Sequence, residues 1–242
     1  ISMTYIETSK ISIIIPTYNE AGNLPILVRK IFQHSITNLS LIIIDDSSPD
    51  GTAKIINQLS EEFPGKIELI QRKTKLGLGS AYKLGYSKAI ESGVDIVVQM
   101  DADLSHSPKY IPDFLQQLDN TDIIIGSRYI EGGQVDSNLS ILRKMISKLG
   151  AVSIRLVTGL KVKDTTSGFK AFKIDVLKNL NFNDIKCNGF GFQAEMIHSC
   201  MRKGYLIKEY PIYFSERNHG KSKMSFNIIL EAIKYLTLIR FK

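Results

Sequence analysis

Apolar residues along the chain gather in short β-branched runs, and each run ends on a polar cluster. "ISIIIP" (11–16), stopped by proline, predicts a buried strand. "LIIIDD" (41–46), "KIELIQR" (66–72), "VDIVVQMD" (94–101) and "DIIIGSR" (122–128) repeat the pattern. Helical spacing between them predicts helices over 23–34, 51–62, 78–92 and 108–118. Strand and helix alternate, which predicts a largely parallel sheet covered on both faces. Ligands of such sheets bind at the carboxyl ends of strands. The polar motifs "PTYNE", "DDSSPDGT", "DADLSH" and "GSRY" fall at those ends.

The pattern changes after residue 130. "EGGQVDSN" (131–138) predicts a loop, and residues 139–163 form a long amphipathic stretch with Arg143, Lys144, Lys148 and Arg155 among leucines and isoleucines. "DTTSGFKAFK" (164–173) leads to a helix at 190–203 and a strand at 206–214. The basic loop "SERNHGKSK" (215–223) follows, and "MSFNIILEAIKYLTLIRFK" closes the chain as an amphipathic helix.

The 242 residues, 43% of them hydrophobic, suit a single globular domain with C-terminal amphipathic helices. Cys187 and Cys200 form no C-x-x-C pair and have no histidine cluster beside them, so a zinc site and a disulfide framework are poor readings and a reducing compartment fits. A net charge of +7 favours anionic partners: nucleic acid, lipid or phosphorylated ligands. No aromatic-interleaved basic stripe or nucleic-acid motif is present, so no nucleic-acid partner is expected. No run approaches the roughly 20 apolar residues of a membrane span. The chain opens on Ile1, and the missing span is taken as a property of this stretch alone.

Each motif has a chemical reading and a structural one. Asp101 and Asp103 at a strand end are oxygen ligands suited to Mg²⁺ or Mn²⁺, with Ser105 as a further hydroxyl; the same residues also suit a solvated turn that caps the helix near Pro108. Asp45 and Asp46 are acceptors for a base or ribose, while Ser48, Pro49 and Asp50 suit a turn and helix cap. Tyr18 is a stacking platform for a base and Glu20 an acceptor for a ribose hydroxyl; alternatively Asn19 caps a helix and Tyr18 packs on the surface. "KLGLGSAYKLG" (75–85) fails the dinucleotide fingerprint at Tyr82, but its glycines let backbone approach a ligand beside Lys75. "GKS" fails as a P-loop because Ser215 stands where glycine is needed, leaving Arg217, His219, Lys221 and Lys223 as a phosphate-binding, lipid-binding or solvated run. Glu195 reads as a general base or as a structural acid.

Taken together, "PTYNE", "DDSSPDGT", "KLGLGSAY", "MDADLSH", "GSRY", "SGFKAF", "GFQAEM" and "RNHGKSK" resemble, in order, the dolichyl-phosphate (polyprenyl-phosphate) mannosyltransferases, inverting glycosyltransferases of family 2. The resemblance spans 10–240. It implies an α/β GT-A (Rossmann-like) domain, with 10–105 as a nucleotide- and metal-binding half and 106–240 as an acceptor-binding, membrane-facing half. It implies that Pro16, Tyr18 and Glu20 border the nucleotide, that Ile43 and Asp45 contact the base, and that Asp101, Ala102 and Asp103 line the diphosphate and metal. Arg128, Arg217 and Lys223 match positions that hold phosphates, and with Asp103 they are the residues expected to carry the chemistry. Relatives carry Gln, a metal ligand, or Ser where this chain has Ser105, which has the shorter reach.

The resemblance further implies GDP-mannose as donor, dolichyl or polyprenyl phosphate as acceptor, Mg²⁺ or Mn²⁺ as cofactor, and a peripheral place on the cytoplasmic face of a membrane. It leaves room for a membrane-anchoring partner subunit. Rival readings are the same chemistry with UDP-glucose or another nucleotide sugar, a nucleotidyltransferase, and a non-catalytic nucleic-acid-binding module.

Overall fold

The computed structural model describes residues 8–138, 141–189 and 191–215. Its main sheet has seven strands, in the order β3-β2-β1-β4-β7-β5-β8. These are β1 (Ile11–Thr17), β2 (Leu39–Asp45), β3 (Ile67–Gln71), β4 (Ile96–Gln99), β5 (Ile123–Ser127), β7 (Lys170–Lys173) and β8 (Ile207–Pro211). A short parallel pair, β6 (Gln134–Val135) and β9 (Tyr213–Phe214), stands beside it. Parallel pairing dominates, as the alternation predicts. The exception is β7, antiparallel to both β4 and β5.

Period-two alternation divides the apolar strand residues between two faces. Ile14, Ile42, Ile44, Val97, Ile125 and Phe172 face α3 (Leu78–Glu91), α6 (Ile174–Lys178) and α7 (Gly191–Arg202). Ile13, Ile15, Leu41, Ile43, Val98 and Ala171 face α1 (Leu24–Phe32), α2 (Thr52–Glu62) and α4 (Ile111–Gln117). α3 lies close enough to the sheet that a Cβ on Gly85 would meet Ile14 at 2.5 Å.

The helices after β1 and β2 cover one face and the helix after β3 covers the other. The chain therefore changes faces as it returns from the edge strand β3 to β4, which lies beside β1. That change of side opens a crevice between the loops that follow β1 and β4, the usual ligand position in an open α/β sheet.

β7 has no counterpart in the predicted elements. Four residues of "FKAFK" are too few to show a strand period. Because it is antiparallel, its entry loop at Ser167–Gly168 lies at the exit of β4, with Gln99 opposite Lys170. The segment expected as one strand at 206–214 divides at Ile212. The Ile212 N–H still donates to the Ser127 carbonyl at 3.0 Å, so Pro211 sits on the edge strand where no ladder bond needs its N–H, and Tyr213–Phe214 turn away to pair with β6. The amphipathic stretch forms α5 (Ile141–Thr158), stopped by left-handed Gly159, whose N–H donates to the Arg155 carbonyl at 2.9 Å. Among the described residues no helix is long and apolar enough to cross a membrane. The closing amphipathic segment lies outside them.

Candidate active site at the strand ends

Loops after β1, β2 and β4 meet at the crevice. Each carries a non-glycine residue in the left-handed region: Asn19 (φ 59°), Ser47 (φ 60°) and Leu104 (φ 65°). Asparagine and serine accept this conformation at modest cost. For leucine it stores strain of about 1–3 kcal/mol, which the surrounding bonds must hold. Those bonds are on both sides of it. The Ser105 N–H and hydroxyl donate to Asp103 Oδ1 at 3.1 and 2.5 Å, and the Ser215 N–H donates to the Ser105 carbonyl at 3.3 Å.

The first two loops are laced together. Ser48 Oγ accepts from the Asn19 N–H at 3.0 Å, Thr52 Oγ1 from the Glu20 N–H at 3.0 Å, and Asp50 Oδ2 from the Ala21 N–H at 3.1 Å. Asp50 also accepts from the Thr52 N–H and hydroxyl at the start of α2. Glu20 Oε2 accepts from the Asn23 side chain at 2.8 Å.

The carboxylate of Asp45 is fully buried. It accepts from Thr17 Oγ1 (3.2 Å), Ser48 N (3.1 Å) and Ser48 Oγ (2.5 Å). Ile43 is buried in the core beneath it, and Pro16 is half-buried at the strand end. Tyr18 is half-buried, with Lys75 Nζ 3.7 Å from its ring centroid. Asp46 is buried in an ion pair with Arg72 and accepts from the Leu76 and Gly77 amides at 3.3 and 3.0 Å. It thereby fastens the glycine loop.

Asp101 differs from its neighbours. Its side chain keeps 30% exposure. Tyr82 Oη donates to Asp101 Oδ1 at 3.2 Å. A Cβ on Gly168 would come within 3.2 Å of the same carboxylate. The Asp101 N–H donates to His106 Nδ1 at 3.0 Å, which fixes a neutral imidazole with its proton on Nε2. Burial agrees, holding the His106 pKa below its ordinary value against the pull of Asp101 and Asp103. His106 stacks on Phe169 and meets Phe214 edge-on. Ala102, Asp103 and Ser105 are buried just below.

Two cations sit close by. Arg128 Nε and an Nη donate to Asp164 at 2.8 and 2.7 Å, and the same Nη donates to Thr166 at 2.9 Å. Burial opposes both charges. The pair nevertheless holds Arg128 above its ordinary pKa and Asp164 below its own. Lys170 is fully buried, donating to the Ser167 carbonyl and to Gln193 Oε1. Gln99 Nε2 also donates to Gln193 Oε1 and to the Gly168 carbonyl, both at 2.9 Å. Burial lowers the Lys170 pKa to about 7, against the pull of Asp164 and Asp101.

The structure thus brings Tyr18, Glu20, Asp45, Asp101, Asp103, Ser105 and Arg128 around one crevice. Arg217 and Lys223 lie outside the described residues. Glu195 is turned to structure, with Oε2 accepting from the Lys186 and Cys187 amides at 2.9 and 2.8 Å. Tyr82, Gly168, Asp164, Lys170 and Gln193 were not singled out as site residues in the sequence. The motifs "GSAY", "SGFKAF" and "GFQAEM" mark most of their positions, but not which partner each would meet.

Among the described residues no group of three or more His, Cys, Asp or Glu is arranged around a metal. The donors that are present fit an ion bound in part by its substrate. Two carboxylates at the end of β4 supply hard oxygens, and Mg²⁺ commonly completes its shell with water and substrate phosphate. The Ser105 hydroxyl is committed to Asp103.

Residues 12–180 match the family model described as Glycosyl transferase family 2. Over 224 residues the chain is 39% identical to the undecaprenyl-phosphate mannosyltransferase of Micrococcus luteus, covering 93% of this chain and 91% of that protein. Over 227 residues it is 35% identical to the polyprenol monophosphomannose synthase of Mycolicibacterium smegmatis, covering 93% and 85%. Glucosyl-3-phosphoglycerate synthase from Mycobacterium tuberculosis, solved with UDP, superposes with a TM-score of 0.70 at 16% identity, covering 97% of this chain and 81% of that one. The same synthase solved with Mn²⁺, UDP-glucose and phosphoglyceric acid gives 0.68 at 17% identity, covering 96% and 80%. At such identities the likeness is one of fold.

Proposed function

The chain belongs to glycosyl transferase family 2 and is a glycosyltransferase of the GT-A fold, and from that membership we propose that it transfers mannose from GDP-mannose to a polyprenyl phosphate with inversion. The names of the two curated relatives support the acceptor and the sugar. One observation in this chain carries the reading: among the strand-end acids, Asp101 is partly open to solvent and oriented from two sides, by Tyr82 and by the chain at Gly168.

The half up to about residue 105 takes the nucleotide, and the rest completes the donor site, binds the acceptor and faces the membrane. Asp101 and Asp103 would hold Mg²⁺ or Mn²⁺, which would neutralise the donor diphosphate. Tyr82 and Gly168 fix the Asp101 carboxylate. Neutral His106 supports the loop from behind. Arg128, held rigid by Asp164, adds positive charge at the crevice.

The acceptor needs little help to attack. An alkyl phosphate is already largely anionic near neutral pH, with a second pKa around 6. A phosphate oxygen forms the bond to the anomeric carbon as the bond to the diphosphate breaks, and the nucleoside diphosphate leaves. No side chain has to remove a proton, unlike attack by a sugar hydroxyl. The work left to the protein is to bring anions together and stabilise the departing charge. A structural role for Glu195 is consistent with this.

A polyprenyl chain requires a lipid surface. α5 exposes Met145, Ile146, Leu149 and Leu156 beside Lys148 and Arg155. We assign this helix to the membrane interface, where each basic residue gains about 1 kcal/mol near anionic lipid. The test is to incubate the protein with labelled GDP-mannose, Mg²⁺ or Mn²⁺, and polyprenyl phosphate in vesicles containing anionic lipid, with UDP-glucose in parallel. Lipid-linked mannose and co-flotation of protein with the vesicles are expected. Glucose transfer without mannose transfer would overturn the donor, and failure to float at low salt would overturn the membrane face.

A further inference from the structure

We propose that Lys75 is a donor-binding residue that contacts the phosphates of a nucleoside diphosphate and rests on Tyr18 until that ligand arrives. This rests on the nucleotide-sugar reading of the crevice and adds a residue to it.

The loop that carries Lys75 is built to hold it in place. Asp46 accepts from the amides of the two residues that follow, Leu76 and Gly77. Arg72, ion-paired to Asp46, donates to Ser80 Oγ at 2.8 Å and to the Gly77 carbonyl at 3.1 Å, closing the loop on itself. Gly77 has a φ of 92°, a conformation natural to glycine. The Gly79 N–H donates to the Asn188 carbonyl at 2.9 Å, and a Cβ there would meet Asn188 and Phe192 at 3.0 Å. The backbone on the C-terminal side of Lys75 is therefore fixed, while its side chain is exposed and reaches across to the loop after β1.

Charge at the crevice adds the second argument. Among the described residues there, Arg72 is committed to Asp46, Arg128 to Asp164, and Lys170 is buried in a hydrogen-bonded network. Lys75 instead holds the face of a tyrosine ring. An exposed cation–π contact is weak beside a charge-assisted hydrogen bond to phosphate, so an arriving diphosphate outcompetes the ring. When the ammonium leaves, it uncovers the ring of Tyr18 for a base. One side chain thus links phosphate binding to base stacking.

Calorimetric titration of the full chain with GDP, UDP and guanosine, in Mg²⁺, tests this in wild type, Lys75→Ala, Lys75→Gln and Lys75→Arg. Either neutral variant is expected to weaken nucleoside diphosphate binding about tenfold, the size of one charged hydrogen bond. Guanosine, which lacks phosphates, should bind as to wild type or slightly tighter, and Lys75→Arg should retain most of the affinity. Wild-type diphosphate affinity in both neutral variants would overturn the assignment and leave the proposed function standing. An equal loss for guanosine would also overturn it, since Lys75 would then act only through Tyr18. If wild type binds no nucleoside diphosphate, both readings fall.

Discussion

Two strands that flank β1, β2 and β4, end in paired acids, and the pairs have opposite fates. After β2, Asp45 is consumed by Thr17 and Ser48, while Asp46 is locked to Arg72 and two loop amides. After β4, Asp103 is buried under Ser105, but Asp101 keeps 30% exposure and receives an oriented hydroxyl from Tyr82. One pair is wholly built into the loops, whereas the other leaves Asp101 open to the crevice. The difference lies in the neighbours. Asp45 and Asp46 face donors from the β1 loop and the glycine loop, which wrap them. Asp101 faces Gly168, where the absence of a side chain leaves room for its carboxylate.

The largest expected effects separate these fates in opposite currencies. Asp101→Asn keeps the shape of the side chain and its bond to Tyr82 but removes the charge. Turnover should fall by about a thousandfold, near 4 kcal/mol, with the melting temperature almost unchanged. Asp46→Asn leaves the buried Arg72 without a counter-charge. Breaking a buried pair this way costs about 3 kcal/mol, so melting should drop by roughly 10 °C. Kinetics and thermal melts of the two variants side by side check the contrast. An Asp101→Asn protein that melts early, or an Asp46→Asn protein that melts normally, would break it.

That contrast also marks how far the sequence could be read. Placing the acids at strand ends needed only the short β-branched runs and the acids that close "LIIID" and "VVQMD", and the parallel sheet followed from the alternation of those runs with helical spacing. Which acid stays open depended on contacts between segments far apart. Gly168 reaches Asp101 only because β7 is antiparallel, and four residues do not announce a strand direction. The Arg128–Asp164 pair joins "GSRY" to "DTTSGF" across 36 positions, which neither motif shows alone. Leu104 in a left-handed turn has no signature, because glycine or asparagine would normally mark such a site. Tyr82 was visible as the residue that spoils a dinucleotide fingerprint. In the fold it occupies that position to hold Asp101.

The smallest effect tests the buried member of the open pair. Ser105 is fully buried, and its amide and hydroxyl both donate to one oxygen of Asp103. With its hydrogen bond donated to Asp103, the hydroxyl would act on the proposed ion only through that carboxylate. Ser105→Ala removes one hydrogen bond and keeps the amide contact. A loss of about 1 kcal/mol in stability is expected, with a severalfold fall in turnover and the same preference between Mg²⁺ and Mn²⁺. A direct ligand would behave differently, since removing one oxygen from the shell should weaken ion binding sharply and shift that preference. Activity titrated against each ion in wild type and Ser105→Ala distinguishes the two. A preserved ion preference would place Ser105 with Asp45 and Asp46, among the residues that build the crevice, and leave Asp101 and Asp103 to face the ligand. A changed preference would move Ser105 to the open side and make the chemistry of β4 a matter of three oxygens, with the αL turn at Leu104 held in order to present the third.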